Sequence, residues 1–325
     1  MAHYTAGQTR ERTRVRHAIE YALLRGVGFP LVWLPLGASL WIGRRLGDFV
    51  FSVLRMRRRV ALENLRRGLG PEPGEAELER IARATYRNMG MTFVEFLRFE
   101  RERQDDLMER TEVGPLAVLD QAKGLGRGII FLTAHTGDWE VCGVVMGVVG
   151  GPLSTVVGDQ KNLWVDRYIK ALRVKMGMKI IPIGSALREV MRLLAAGGRV
   201  ALAADQDAGG DGVLLEFLGR PASCSTGPAR FAYRSGATVV IGLDRHLGGG
   251  RHLLLLHPPI VPDPSRPEEE EVARILAEFN HALEAFVRRH PDQWFWMHRR
   301  WKTRPPDEFK GRREEAEGGA SPEAA

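Results

Sequence analysis

Residues 128–140 read GIIFLTAHTGDWE, and the order of residue types in this stretch decides the fold class. Residues 128–134 form a short apolar run, the pattern of a strand buried on both faces. A polar turn follows, in which Thr136 or Asp138 is able to cap a new helix beginning near Trp139. The same alternation recurs downstream. Apolar runs at 153–157, 179–183, 199–205, 238–243 and 252–257 alternate with helical segments at 139–146, 163–176, 186–196 and 227–234. Alternating elements of this kind predict an α/β fold, a largely parallel sheet covered by helices. Two longer amphipathic helices flank it, at 75–99 and 267–290, the second with Glu268, Glu269, Glu270 and Glu271 in its first turn, where carboxylates favour the helix dipole.

Ahead of this body lies a segment of different chemistry. The chain has 325 residues, 47 Lys+Arg against 40 Asp+Glu and a net charge of +7, which points to an anionic partner. Thirteen arginines against four acids fall within residues 1–69, so the remainder is nearly neutral. At 44% hydrophobic and 27% charged residues, the chain is neither disordered nor a polytopic membrane protein. Two cysteines, Cys142 and Cys224, exclude a disulfide scaffold and give no zinc spacing.

Within the basic segment, residues 26–43 (GVGFPLVWLPLGASLWIG) carry no charge. As one helix they would reach roughly 27 Å, near the hydrocarbon thickness of a bilayer. Pro30 and Pro35 are expected to interrupt that helix, and arginines on both sides remove any orientation signal. An interfacial hairpin or in-plane helix satisfies both basic flanks at one anionic surface, with Trp33 and Trp41 suited to the interface. The alternative is a buried core helix with solvated arginine ends. Nucleic acid is not the expected partner: the arginines alternate with aliphatic runs such as 60–62, and no zinc-finger, RRM or KH signature appears. The expected organisation is a membrane-associating helical segment over 1–69, an α/β domain over 70–305 and a disordered tail over 306–325.

His135 falls at the carboxyl end of a buried strand, the edge where open α/β sheets place their ligands. Glu140 lies five residues on, about 140° around a continuous helix. With His135 in the preceding turn, the Glu140 carboxylate is expected to fold back onto the imidazole, fix its tautomer and raise its basicity. Two other readings stay open at this point. In one, His135 serves only packing; in the other, His135, Asp138 and Glu140 ligate a metal, although no second His arrives at helical spacing.

HTGDWE resembles the H-x4-[D/E] motif of glycerolipid-type acyltransferases. More narrowly it resembles the HxGNWE form of the bacterial lipid A late acyltransferases, the lauroyl and myristoyl transferases. Asp205-Gln206 leading into GVLLEFLGRPASCSTGPARFAYRSGA (212–237), and DQWFWMHRRWKTRP (292–305), agree with the same family. The resemblance runs from near Tyr21 to Pro305. It implies transfer of a fatty acyl chain from acyl carrier protein, or acyl-CoA, to a hydroxyl of a lipid A precursor at the cytoplasmic face of the inner membrane. No metal or cofactor is implied.

By the resemblance His135 is the general base and Glu140 its partner. Arg173 is the best match for the family's downstream arginine, with Arg167 second. Asp205 matches the family's aspartate and is expected to orient Arg173 or the acceptor. Asp138 stands where the family has Asn; it is expected to contact substrate, cap the helix or compete for the imidazole. Gln206 joins the substrate side. The basic cluster of His298, Arg299, Arg300, Lys302 and Arg304 is expected to bind phosphates of the acceptor or the acidic carrier. The aromatics Trp294, Phe295, Trp296 and Trp301 are expected to pack or anchor an interface. The alternatives are acylation of another glycolipid such as a phosphatidylinositol mannoside, a metal-dependent hydrolase, and a non-catalytic membrane-surface protein.

Overall fold

The computed structural model describes residues 6–303, with side chains from residue 14 onward. Arg304 and the 306–325 segment lie outside the described residues. The strands are β1 (Thr111–Gly114), β2 (Ile129–Thr133), β3 (Leu153–Val157), β4 (Lys179–Pro182), β5 (Arg199–Ala203), β6 (Val213–Phe217), β7 (Arg220–Cys224), β8 (Thr238–Gly248) and β9 (Arg251–Leu256). Seven of them form one sheet in the order β1-β9-β8-β2-β5-β3-β4, and β6–β7 make a separate hairpin. Every neighbouring pair in the large sheet is parallel except β8–β9. The fold is therefore mixed α/β with a mostly parallel sheet.

The helices are α1 (Ala6–Trp33), α2 (Leu36–Phe49), α3 (Arg58–Leu69), α4 (Glu75–Arg98), α5 (Gln104–Glu109), α6 (Ala117–Gly124), α7 (Trp139–Gly150), α8 (Leu163–Lys175), α9 (Ala186–Ala195), α10 (Gly227–Ser235) and α11 (Glu268–Arg289). Strand periodicity sorts the sheet's side chains to its two faces. Along β2, Ile129 and Phe131 join a core with Val141, Val144 and Val145 of α7, while Ile130 and Leu132 join the core beneath Ile275, Leu276 and Phe279 of α11.

All six expected strands are present, as are the helices expected between and beside them. Not read from the sequence are β1, α5, α6, the β6–β7 hairpin and the antiparallel sense of β9. The turn from β8 to β9 uses Gly248, Gly249 and Gly250, all at positive φ, which only glycine adopts without strain.

The uncharged stretch resolves into two helices, not one. Pro35 separates α1 from α2, as expected, but Pro30 sits inside the last turn of α1 without ending it. No helix among the described residues is long and apolar enough to cross a membrane. The glycines of this stretch have a packing role. A Cβ on Gly43 would stand 2.6 Å from the carbonyl oxygen of Gly90, and one on Gly47 only 2.2 Å from that of Tyr86. Helix α2 thus lies backbone to backbone on α4, which buries Ser39 and Leu40 and leaves Trp41 outward. Trp33 and Trp41 are both 61% exposed.

Candidate active site

Strands β2 and β5 are adjacent and parallel, with Thr133 opposite Ala203. Two residues beyond each partner, His135 and Asp205 come abreast at the carboxyl edge of the sheet. The Asp205 carboxylate accepts three hydrogen bonds. One comes from the His135 ring at Nδ1 (2.8 Å), one from the His135 backbone N–H (3.0 Å) and one from Trp294 Nε1 (2.9 Å). A carboxylate only accepts, so the ring carries its proton on Nδ1 and leaves Nε2 as the acceptor. Burial opposes charging this ring, but the Asp205 carboxylate, helped by Glu140, outweighs it and raises the His135 pKa. Burial likewise disfavours the Asp205 anion, yet the His135 charge overrides this and lowers its carboxyl to about 2.

Glu140 is not the hydrogen-bond partner of His135. Its carboxylate forms a two-pronged pair with Arg173 of α8, Nε to Oε2 at 2.9 Å and Nη2 to Oε1 at 2.5 Å. The geometry explains the difference: Glu140 sits in the first turn of α7, facing α8, whereas the strand register hands His135 to Asp205. Asp205, in turn, orients the imidazole and not Arg173. The expectation of a His135–Glu140 bond is corrected to two neighbouring pairs, His135–Asp205 and Glu140–Arg173. His135 of the first pair and both members of the second line one cavity of about 150 Å³, with Trp139 beside them and Phe131, Met146 and Met178 among its apolar walls.

Other expected site residues fall elsewhere. Asp138 is fully buried and caps α7, its Oδ1 accepting from the N–H groups of Glu140 and Val141, so it has no surface for substrate. With one carboxylate oxygen on the cap and its backbone N–H given to Asp244, it also makes no contact with the imidazole. The proposed metal set of His135, Asp138 and Glu140 therefore does not converge on a point. Arg167 is exposed on α8, away from the pair that Arg173 makes, and Gln206 is exposed beside Asp205.

The basic cluster near residue 300 divides. Arg299 and Lys302 are exposed, but Arg300 is 1% exposed, donating to the Ser223 carbonyl and the Cys224 sulfur beneath the β6–β7 hairpin. Arg300 is therefore not available to a phosphate. His298 accepts a hydrogen bond from the Asp207 N–H. Trp294, Trp296 and Trp301 are buried, in keeping with packing, and two aromatics acquire site positions the sequence did not signal. The rings of Trp139 and Phe295 stand 4.9 and 6.1 Å from the His135 ring.

Behind the loop that carries His135 lies a second polar cluster absent from the sequence-based expectations, because its members are scattered over α4, β8 and β9. Asp244 Oδ2 accepts from the Asp138 N–H at 2.7 Å and lies 3.2 Å from His252 Nδ1; His252 Nε2 lies 3.0 Å from Glu95 Oε1. Arg110 bridges Glu95 to Glu102, and Glu102 pairs with Arg98. Arg98 in turn donates to the carbonyls of Leu31, Val32 and Leu34 at the end of α1. Thr92 Oγ1 donates to the Gly137 carbonyl and receives His246 Nε2. Glu95, His246 and His252 are close enough together to hold a metal ion, though Arg110 already occupies the Glu95 carboxylate. Burial and the Glu95 charge push the Asp138 carboxyl well above its ordinary range. The two carboxylates outweigh burial at His252 and raise it to about 11.

A histidine held by a carboxylate at the mouth of an apolar cavity, with an arginine–glutamate pair alongside, is an arrangement suited to proton transfer on a substrate with a long apolar group. The family model for bacterial lipid A biosynthesis acyltransferases matches residues 8–303, and the chain belongs to that family. It is an acyltransferase. The chain is similar to the lipid A biosynthesis palmitoleoyltransferase of Escherichia coli K12, at 27% identity over 87% of this chain and 92% of the relative. It is also similar to the lipid A biosynthesis lauroyltransferase of the same organism, at 24% identity over 86% of this chain and 90% of the relative. The phosphatidylinositol mannoside acyltransferase of Mycolicibacterium smegmatis is 24% identical over 77% of this chain and 81% of its own length.

Proposed function

We propose that this protein is a membrane-associated O-acyltransferase of the cytoplasmic face of the inner membrane. It moves a fatty acyl chain from a thioester, acyl carrier protein or acyl-CoA, to a hydroxyl of a lipid A-type glycolipid. The observation that carries this reading is the cavity lined by His135, Glu140 and Arg173 together with apolar side chains that include Phe131, Met146 and Met178. It suits an acyl chain whose carbonyl stops at the histidine.

In this reading Asp205 fixes the tautomer, and His135 Nε2 takes the proton of the acceptor hydroxyl as its oxygen attacks the thioester carbonyl. A tetrahedral oxyanion forms. Arg173, with Nε and Nη2 on Glu140, lines the cavity and supplies positive charge close to it. Collapse breaks the carbon–sulfur bond, and the imidazolium proton goes to the departing thiolate, which leaves as the free thiol. Asp205 takes the role that sequence resemblance gave to Glu140, and Glu140 holds Arg173.

The similarity to a phosphatidylinositol mannoside acyltransferase favours a second acceptor, a mannosylated phosphoinositide. Both acceptors are anionic glycolipids, and lipid mass spectrometry separates them. Cells with and without the gene should differ by one acyl group on one glycolipid class. No lipid mass difference, together with no transfer by purified protein from either donor, would reject the proposal.

A further inference from the structure

A larger apolar hollow than the cavity just described also borders the catalytic segment. It is an open groove of about 620 Å³ between α1, α2 and α4, whose inner end includes Phe295, the ring beside His135. Its mouth is bordered by Leu23, Val27, Met56 and Phe93, which are 63%, 48%, 60% and 40% exposed. Such a cluster of exposed large apolar side chains marks an interaction surface.

The backbone between α2 and α3 builds this mouth. After a π-helical turn over Val50–Leu54, Arg55 and Arg57 take left-handed conformations (φ 50° and 57°), which are strained for arginine. They set Met56 between them and leave Val53 to Arg57 exposed as one knuckle. The charged residues within the knuckle and directly after it, Arg55, Arg57, Arg58 and Arg59, are all arginines. The ion pairs of this region use Arg45, Arg58, Arg83 and Arg87. Among the described residues, Arg55, Arg57 and Arg59 have no carboxylate partner; Arg55 and Arg57 donate to the carbonyls of Ser52 and Met297. An apolar tip ringed by unpaired arginines matches an anionic bilayer, with hydrocarbon for the tip and phosphates for the ring.

We propose that the knuckle over residues 53–57 inserts into an anionic bilayer, and that the groove opening beside it admits a lipid hydrocarbon chain to the flank of His135. This rests on the acyl-transfer reading only for why a lipid should come there; the docking is measured separately. Cys142 and Cys224 are buried, so nitroxides placed by Leu54→Cys and Met56→Cys label single positions on the full chain. Leu187→Cys, on an exposed residue of α9, is the control.

On phosphatidylglycerol vesicles the nitroxides at 54 and 56 should gain accessibility to oxygen and lose it to a water-soluble nickel complex, while the one at 187 does not. A phosphatidylglycerol carrying a diazirine in its acyl chain should crosslink to peptides containing Phe93 or Phe295. The variant Val53→Ser/Leu54→Ser, at two exposed knuckle residues that do not line the groove, should partition to these vesicles about tenfold or more weakly. It should lose transfer to vesicle-embedded acceptor in parallel, and keep transfer to acceptor dispersed in detergent.

Vesicle binding with 54 and 56 still open to nickel would overturn the docking face, and so would no vesicle binding at all. Crosslinks confined to other peptides would overturn the groove. Wild-type protein that docks as described yet transfers no acyl group in detergent would instead sink the acyl-transfer reading.

Discussion

Among the described residues two histidine–carboxylate clusters stand one on each side of the turn at Gly137. In front, His135 borders the cavity with Asp205 buried against its ring, and the His135 side chain keeps 22% of its surface. Behind, His252 lies between Asp244 and Glu95, and all three side chains are fully buried. Hydrogen bonding is similar in both, and carboxylates raise the pKa of both rings. The difference is the free nitrogen. His135 spends Nδ1 on Asp205 and keeps Nε2, whereas His252 has a carboxylate at each nitrogen. A histidine with one nitrogen committed is set up to move a proton; one with both committed is a buried cation holding two strands and a helix together.

If that distinction is right, the largest effect on transfer comes from His135→Gln. Transfer should fall by about 10² to 10⁴-fold, the range expected for a lost general base, with little change in the melting temperature. A variant that keeps its activity would move catalysis off this ring.

Asp205→Asn comes next, at roughly 10²-fold, because the amide no longer fixes the Nδ1–H tautomer or charges the site. The pH profile sharpens the point. The base must be neutral, so wild-type kcat/KM should rise with pH through a pKa above the ordinary histidine value of about 6.5. Removing the Asp205 charge should move that limb to lower pH. If the limb stays while the rate falls, Asp205 acts by position alone.

A smaller and more selective effect is expected inside the cavity. Gly143 of α7 borders it, and a Cβ there would meet the Met178 sulfur at 3.2 Å. Gly143→Leu should leave transfer of short acyl chains nearly intact and cost about 10- to 200-fold on the longest accepted chain, the scale of a methylene excluded from an apolar pocket. Competition between acyl donors of different length measures this directly. An unchanged chain profile would mean that the chain lies elsewhere, and the groove beside Phe295 would become the alternative.

These residues also show what the sequence makes legible. The strands and helices were readable because a parallel sheet needs short apolar runs punctuated by capped helices, and HTGDWE marks one such junction. His135, Glu140, Arg173 and Asp205 were all identifiable as candidate site residues, but their pairing was not. Pairing depends on register, Thr133 opposite Ala203, which no local pattern encodes. The rear cluster was invisible for the same reason, since Glu95 stands 157 residues before His252, and Asp244 meets His252 only across the β8–β9 turn. Arg300 was misread because an arginine run looks solvated until the Ser223 carbonyl and Cys224 sulfur are found against one of its members.

The smallest effect on transfer, and the sternest test of the comparison, belongs to the rear cluster. Glu95→Gln removes a carboxylate that touches both Arg110 and His252, leaving buried charge uncompensated. Breaking a buried ion pair in this way costs about 3–5 kcal/mol of stability. Activity per folded molecule should nonetheless stay within about threefold, because no member of the cluster borders the cavity. The sign of the pH dependence follows from His252, whose pKa is raised in the fold to about 11 from an ordinary value of about 6.5. Its stabilising contribution is complete below the unfolded pKa and is lost as pH climbs toward 11. Wild-type urea midpoints should therefore decline between pH 7 and 10, and Glu95→Gln should flatten that decline, since half of the charge that raises the ring is gone. If Glu95→Gln instead leaves stability intact and lowers kcat a hundredfold, the rear cluster takes part in the chemistry, and the free nitrogen of His135 is not what separates the two sites.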